Sequence, residues 1–214
     1  MSSDVNVEAE VGLRGYRVVD AARSAGRRQA VLRAAATVFS RKSYEGATVD
    51  DIAAELGVSK GVVYYQFRSK EEIFTEILVT AIGEALRRLR ATNSLGGPPE
   101  ERLRAGIREL VAYNLDEETT NYYAMMVIGN VRALSGDNRQ SVRRLQLEYQ
   151  RLVMEIIEEG VALGGFTVED VHVVAMTILT AANGVSNWFR PNHSSNADAV
   201  ASEVSNQLVR GILS

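Results

Sequence analysis

Cysteine is absent from this chain of 214 residues. Disulfides, thiolate nucleophiles and cysteine-ligated metal sites are therefore excluded together, and the usage fits a reducing compartment. Histidine is nearly absent too. His172 falls at the start of an apolar helix, where it reads as a packing or dimer residue, and His193 falls in a polar loop. No Walker loop, G-x-G-x-x-G or H-E-x-x-H occurs, and the acid pairs Glu117–Glu118 and Glu158–Glu159 read as solvated faces. The expectation is a protein that is not an enzyme and needs no cofactor. No apolar run reaches the roughly 18 residues of a membrane span. The opening MSSDVNVEAEVG has neither the basic start nor the apolar stretch of a secretory signal, so a cytoplasmic protein is expected. Proline is confined to Pro98, Pro99 and Pro191, which leaves long stretches uninterrupted.

What fills those stretches is helical periodicity. No sustained two-residue alternation bounded by turn dipeptides appears, so the chain reads as all-α, in about nine or ten helices. Residues 1–24 lack a steady period and read as a flexible N-terminal tail, with Arg14, Arg17 and Arg23 available to a DNA minor groove as an alternative to plain disorder. A first helix over 27–40 carries the stripe Val31, Leu32, Ala35, Ala36 and Phe39. Thr48 caps a second helix that Gly57 ends. Ser59 caps a third, short one, and Ser69 with Glu72 forms a capping box for a fourth that runs to about Arg90. After the break SLGGPPEE come helices over about 100–115, 119–134, 139–163, 167–189 with Thr167 as cap, and 197–213. The domains expected are 25–71 and 72–214.

Net charge is −3, which alone argues against a nucleic-acid partner. Its distribution argues the other way. Arg23 to Lys70 holds nine Lys/Arg against four Asp/Glu, a local +5 that leaves −8 for the remainder. Two short helices joined by A-E-L-G-V-S, with glycine in the turn, form a helix-turn-helix. The second contains S-K-G-V-V-Y-Y-Q-F. Neighbours on a helix point about 100° apart, so Tyr64 and Tyr65 cannot both enter one core face, and at least one phenol faces outward. The hydroxyls of Thr48 and Ser59 sit at helix N-termini, where anions are favoured. Lys70, in a first helical turn, is mildly unfavourable there unless an anion sits beside it.

R-R-Q-A-V-L-R-A-A-A-T-V-F followed by T-V-D-D-I-A-A-E-L-G-V-S-K-G-V-V-Y-Y-Q-F-R-S-K-E-E-I-F, over residues 27–78, resembles the DNA-binding domain of the TetR family of bacterial regulators. The resemblance implies a three-helix DNA-binding domain on a larger helical body for ligand binding and dimerisation. It implies that Thr48, Tyr64 and Lys70 clamp phosphates and that Lys60 and the Gly61 backbone lie at the groove floor or its edge. Tyr65 would contact phosphate or a base edge, and Phe67 would pack inside. Two positions depart from the family pattern. Val62 stands where a hydroxyl or amide is frequent and can touch a thymine methyl, and Gln66 stands where histidine is frequent.

The apolar helix 167–189, with Ala181, Ala182 and Gly184, and the last helix fit a homodimer on a pseudo-palindromic operator. Tyr122, Tyr123, Met125, Met126, Tyr149, Met154 and Trp188 read either as core or as the lining of an apolar effector pocket. Arg143, Arg144 and Arg151 read either as a solvated face or as partners of an anionic group. The stretch W-F-R-P at 188–191 is similar to one in family members that sense acyl-CoA thioesters, so the expected effector is a small apolar molecule, a fatty acyl-CoA. The alternative is an aromatic or cationic compound of the multidrug type.

Overall fold

The computed structural model describes residues 5–116, 131–190 and 196–214, with backbone alone over 5–23. Eight α-helices are described: α1 Val5–Gly46, α2 Val49–Leu56, α3 Lys60–Gln66, α4 Lys70–Ser94, α5 Pro99–Leu115, α6 Gly136–Ala162, α7 Val171–Trp188 and α8 Ala197–Arg210. A single 3-10 turn covers Val131–Ala133. The chain is all-α, as the periodicity predicts. It divides into two compact units between Ile73 and Phe74.

In the first unit α1 packs on α2 and α3. The predicted stripe of α1 is buried in full, together with Ile52 and Ala53 of α2 and Val63 and Phe67 at α3. The segment 1–24, expected to be a flexible tail, has helical backbone from Val5 onward. No proline interrupts it, and its alanines, glutamates and arginines are strong helix formers. α1 kinks at Ser43 (φ 61°, ψ 168°), a conformation that glycine alone adopts without strain. Thr48 caps α2 in a full capping box with Asp51, and Gly57 closes it in the left-handed conformation (φ 70°). At α4 the box is displaced. Ser69 Oγ accepts the Glu72 N–H at 3.1 Å, but the Glu72 carboxylate reaches past Ser69 to the N–H of Arg68 at 2.7 Å.

The second unit closes on α5, which packs against α6, α7 and α8. Leu103, Ile107, Val111, Ile156, Ile178 and Val209 lie in one continuous core. Two sequence expectations change here. α7 begins at Val171 with Asp170 as its cap, accepting the Val173 N–H at 3.0 Å, and not at Thr167. Thr167 is held instead by the C-terminal segment: its N–H bonds the Ile212 carbonyl at 2.9 Å, and Phe166 forms an antiparallel bridge with Leu213. The last helix accordingly stops at Arg210. The helix expected at 119–134 falls largely outside the described residues, and Val131–Ala133 is a 3-10 turn.

Gly160 shows how tightly this unit is built. A Cβ there would lie 2.1 Å from the ring of Phe166, which is buried. Gly160→Ala is expected to destabilise the protein by about 1–3 kcal/mol through overpacking. Chemical denaturation of the variant beside the parent checks this.

Candidate nucleic-acid interface

The interface is built on α3. Only Val63 of its seven residues is fully buried, with Phe67 just beyond the helix end. Val62 and Tyr64 are exposed, and Tyr65 is 80% exposed. The question posed by adjacent tyrosines is therefore settled in favour of two outward phenols. Gly61 is also open, and a Cβ there would meet nothing closer than Ser59 Oγ at 3.8 Å. Ser59 occupies the N-cap position of α3, yet its hydroxyl makes no capping hydrogen bond. Gln66 is half-buried, and its Nε2 has no hydrogen-bond partner.

Around this face the remaining candidates are held by protein partners. Thr48 is committed to its capping box: its hydroxyl accepts from Asp51 N–H at 3.1 Å and donates to Asp51 Oδ2 at 2.9 Å. Lys60 Nζ pairs with Asp50 Oδ2 at 2.7 Å, and that carboxylate raises the lysine's pKa. The same ammonium lies 5.8 Å from the centroid of the Tyr64 ring. Lys70 Nζ donates to the carbonyls of Tyr44 at 2.7 Å and Ala47 at 2.8 Å, and lies 4.4 Å from the centroid of the Tyr44 ring. A lysine in a first helical turn thus has a reason other than a bound anion: it holds the strained loop that follows Ser43.

Sequence reasoning passed over Arg28. Its guanidinium stacks 3.9 Å from the centroid of the Phe67 ring, donates to the Gln66 carbonyl at the C-terminal end of α3, and pairs with Glu72 at 3.6 Å. The signal was present, as an arginine three residues before Val31, the first buried residue among the described side chains of α1, but Gln66, Phe67 and Glu72 lie 38 or more residues away.

The second unit holds a cavity of about 300 Å³. Ala81, Ile82 and Ala85 of α4, Leu110 of α5, and Met176 and Leu179 of α7 supply its apolar wall. Tyr113, Asn114, Gln146, Tyr149, Gln150 and Asn183 supply polar groups. Of the expected lining residues Tyr149 is there, 9% exposed, with burial raising the pKa of its phenol. Met154 packs against the core instead, and Trp188 is 61% exposed and away from the lining. Tyr122, Tyr123, Met125 and Met126 lie outside the described residues. Arg143 and Arg144 are exposed on α6, and Arg151 pairs with Glu155 at 2.9 Å. Sequence reasoning missed the amides. Their signal was Gln146 and Gln150 one turn apart beside Tyr149, and Asn183 between the buried Ala182 and Val185 of α7.

Comparison with known proteins gives two family matches. Residues 31–77 match the family model described as bacterial regulatory proteins, tetR family, and residues 96–212 match the tetracyclin repressor-like, C-terminal domain. The chain is 28% identical over 198 residues to the HTH-type transcriptional repressor KstR2 of Rhodococcus jostii, covering 91% of this chain and 95% of that one. Among solved structures it is similar to the ketosteroid transcriptional regulator KstR2 of Mycobacterium tuberculosis, with TM-score 0.78 and 23% identity over 88% of this chain and 95% of that one. It is also similar to AibR in complex with isovaleryl coenzyme A and operator DNA, with TM-score 0.75 and 20% identity over 87% of this chain and 98% of that one. These two likenesses show the fold.

Two outcomes follow from the geometry. Tyr65→Ala is expected to leave stability within about 0.5 kcal/mol, as for an exposed side chain, whereas Lys70→Ala strands two loop carbonyls and costs about 1–3 kcal/mol. Denaturant unfolding separates the two. The hydrogen bond from the Lys42 ammonium, and after it the Thr48 bonds, hold the Asp51 carboxyl down at about 2, below the ordinary 3.8. The unfolded chain therefore takes up this proton first as pH falls. The stability Asp51 supplies is whole above pH 4 and lost as pH falls towards 2. Asp51→Asn should flatten stability against pH in that window, read by thermal melts between pH 2 and 5.

Proposed function

This chain belongs to the TetR family of bacterial regulatory proteins, and from that footing we propose that it is a homodimeric, cytoplasmic transcriptional repressor, released from its operator by a small-molecule effector. The relatives it matches are named as transcriptional regulators and not as enzymes, in keeping with a chain that recognises and does not catalyse. No helix among the described residues is long and apolar enough to cross a membrane.

The observation that carries the reading is the outward face of α3. Val62, Tyr64 and Tyr65 are turned away from the protein on a helix short enough for the major groove. Gly61 leaves the backbone there open to close approach, and the Ser59 hydroxyl and α3 N-terminus are available to a phosphate. In this reading Tyr64, Tyr65 and Lys60 hold phosphates or base edges, Val62 meets a thymine methyl, and Gln66 flanks them. Thr48 and Lys70 contribute by fixing the loop and α2. They contact phosphate only with hydrogen-bonding capacity left over from their internal bonds.

A second copy has a surface to occupy. On α7, Val173 is 57% exposed, and Thr177, Ala181 and Trp188 follow at helical spacing on the exposed side, opposite the buried Ala175, Ile178, Ala182 and Val185. Such a stripe on an apolar helix, with Ala181 and Gly184 permitting close approach, fits a two-fold interface. Two copies would present two α3 helices to a pseudo-palindromic site.

The cavity is proposed as the effector site, and an acyl-CoA thioester as the effector class. Support comes from the W-F-R-P stretch and from the complex of AibR with isovaleryl coenzyme A. α4 starts with Lys70 on the loop carbonyls and contributes Ala81, Ile82 and Ala85 to the cavity wall. Occupancy that favours one placement of α4 over another would change DNA affinity by the ligand's differential binding energy and no more.

Fluorescence anisotropy with the DNA of the chain's own promoter region tests this. Affinity should fall steeply with salt, by on the order of 10³ or more between 50 and 200 mM if six or more phosphates are neutralised. Two chains should bind per operator, and Tyr64→Ala should weaken binding to all sequences. Salt-independent or one-chain binding would sink the reading.

A further inference from the structure

The polar half of the cavity asks for a particular kind of ligand. Tyr149 is nine-tenths buried and lines the cavity, and its hydroxyl has no hydrogen-bond partner among the described residues. Gln150, beside it on α6, is also without one. Asn183 accepts a bond from Asn114 Nδ2 at 3.1 Å, and its own amide N–H groups have no described acceptor. A buried phenol in a purely hydrocarbon site would sit with its donor unmet, which costs free energy. Proteins ordinarily remove such groups or pair them. Here a phenol and two carboxamides line one space. Burial keeps the Tyr149 phenol protonated, so it can donate at neutral pH. No Asp, Glu, Lys or Arg is among the described lining residues. The volume, at roughly 30 Å³ per water-sized group, holds on the order of ten heavy atoms.

We infer that the part of the effector seated in this cavity is compact, uncharged and oxygen-bearing, with a carbonyl or hydroxyl that accepts a hydrogen bond from Tyr149, and is not a plain hydrocarbon chain or a cation. The inference rests on the reading of this cavity as the effector site. It separates two kinds of thioester that the W-F-R-P stretch does not. A site built around hydrogen-bonding groups discriminates strongly against an analogue that lacks the matching atom, because the site's own groups are then left unpaired. A purely apolar pocket would show the reverse order, since the added oxygen would have to be desolvated without compensation.

The test uses matched probes on the full-length protein: 3-oxohexanoyl-CoA against hexanoyl-CoA, and, free of any thioester, cyclohexanone against cyclohexane. Binding is read by calorimetry on the parent and on Tyr149→Phe, which removes one oxygen and keeps the ring. DNA binding by the variant checks that it folds. The expected result is a preference for the oxygenated probe of about tenfold in the parent, the equivalent of one good buried hydrogen bond, and its loss in Tyr149→Phe. Equal binding of hexanoyl-CoA and its 3-oxo form, or a preference that survives in Tyr149→Phe, overturns the inference and leaves the thioester reading standing. Tyr149-dependent binding of cyclohexanone with no response to either thioester upholds the inference and sinks the thioester reading. No binding of any probe overturns both. Should Tyr149→Phe fail to fold, the parent's ranking of each pair still decides the oxygen preference.

Discussion

A helix of seven residues cannot hold its own shape in water, and the second helix of the helix-turn-helix is one. α3 contributes one fully buried side chain of its own, Val63, and ends on Phe67. Everything else that fixes its direction comes from elsewhere in the first unit. Arg28 is one such support. Its guanidinium covers the Phe67 ring and meets the Gln66 carbonyl, where the helix dipole is negative and a cation is favoured. Gly57 lets the chain turn sharply between α2 and α3. With its orientation fixed from behind, α3 can present Val62, Tyr64 and Tyr65 outward without using any of them for stability.

The loop ahead of α2 follows the same division of labour. Ser43 sits in a conformation that costs on the order of 1–3 kcal/mol, and Lys70 ties down the next carbonyls on the chain. A family pattern assigns that lysine to phosphate. The geometry gives it a prior obligation, and an ammonium with three donors can serve both once two are bonded internally.

How far the sequence disclosed this depends on the range of the physics involved. The α1 stripe, the Thr48 box, the Gly57 stop and the outward tyrosines are local consequences of period, capping and φ, and each was legible. Arg28 was not, because its partners are brought to it only by the fold. Thr167 was misread as a cap for the same reason: a residue 45 positions later claims its N–H, and Asp170 is left to cap α7. In the second unit, aromatic and methionine content drew attention to the lining. The distinguishing feature was amides at helical spacing, and Trp188, the most conspicuous aromatic, faces outward. Composition counts residues, whereas a cavity is defined by which of them converge.

Charge gives the last constraint. The local excess of +5 suggests a strong electrostatic grip on DNA. In the folded unit much of it is already engaged: Arg41 with Glu55 at 3.0 Å, Lys42 with Asp51 at 2.6 Å, Lys60 with Asp50 at 2.7 Å, and Arg28 with Glu72. Exposed pairs of this kind are worth about 0–1 kcal/mol each, so exchanging a carboxylate for a phosphate is inexpensive. Yet the carboxylate remains near the DNA and repels it. The cations therefore act less as independent phosphate anchors than as a field partly balanced at its source. Such an arrangement weakens indiscriminate attachment to any duplex and, in the proposed reading, shifts discrimination onto the uncharged groups that α3 turns outward.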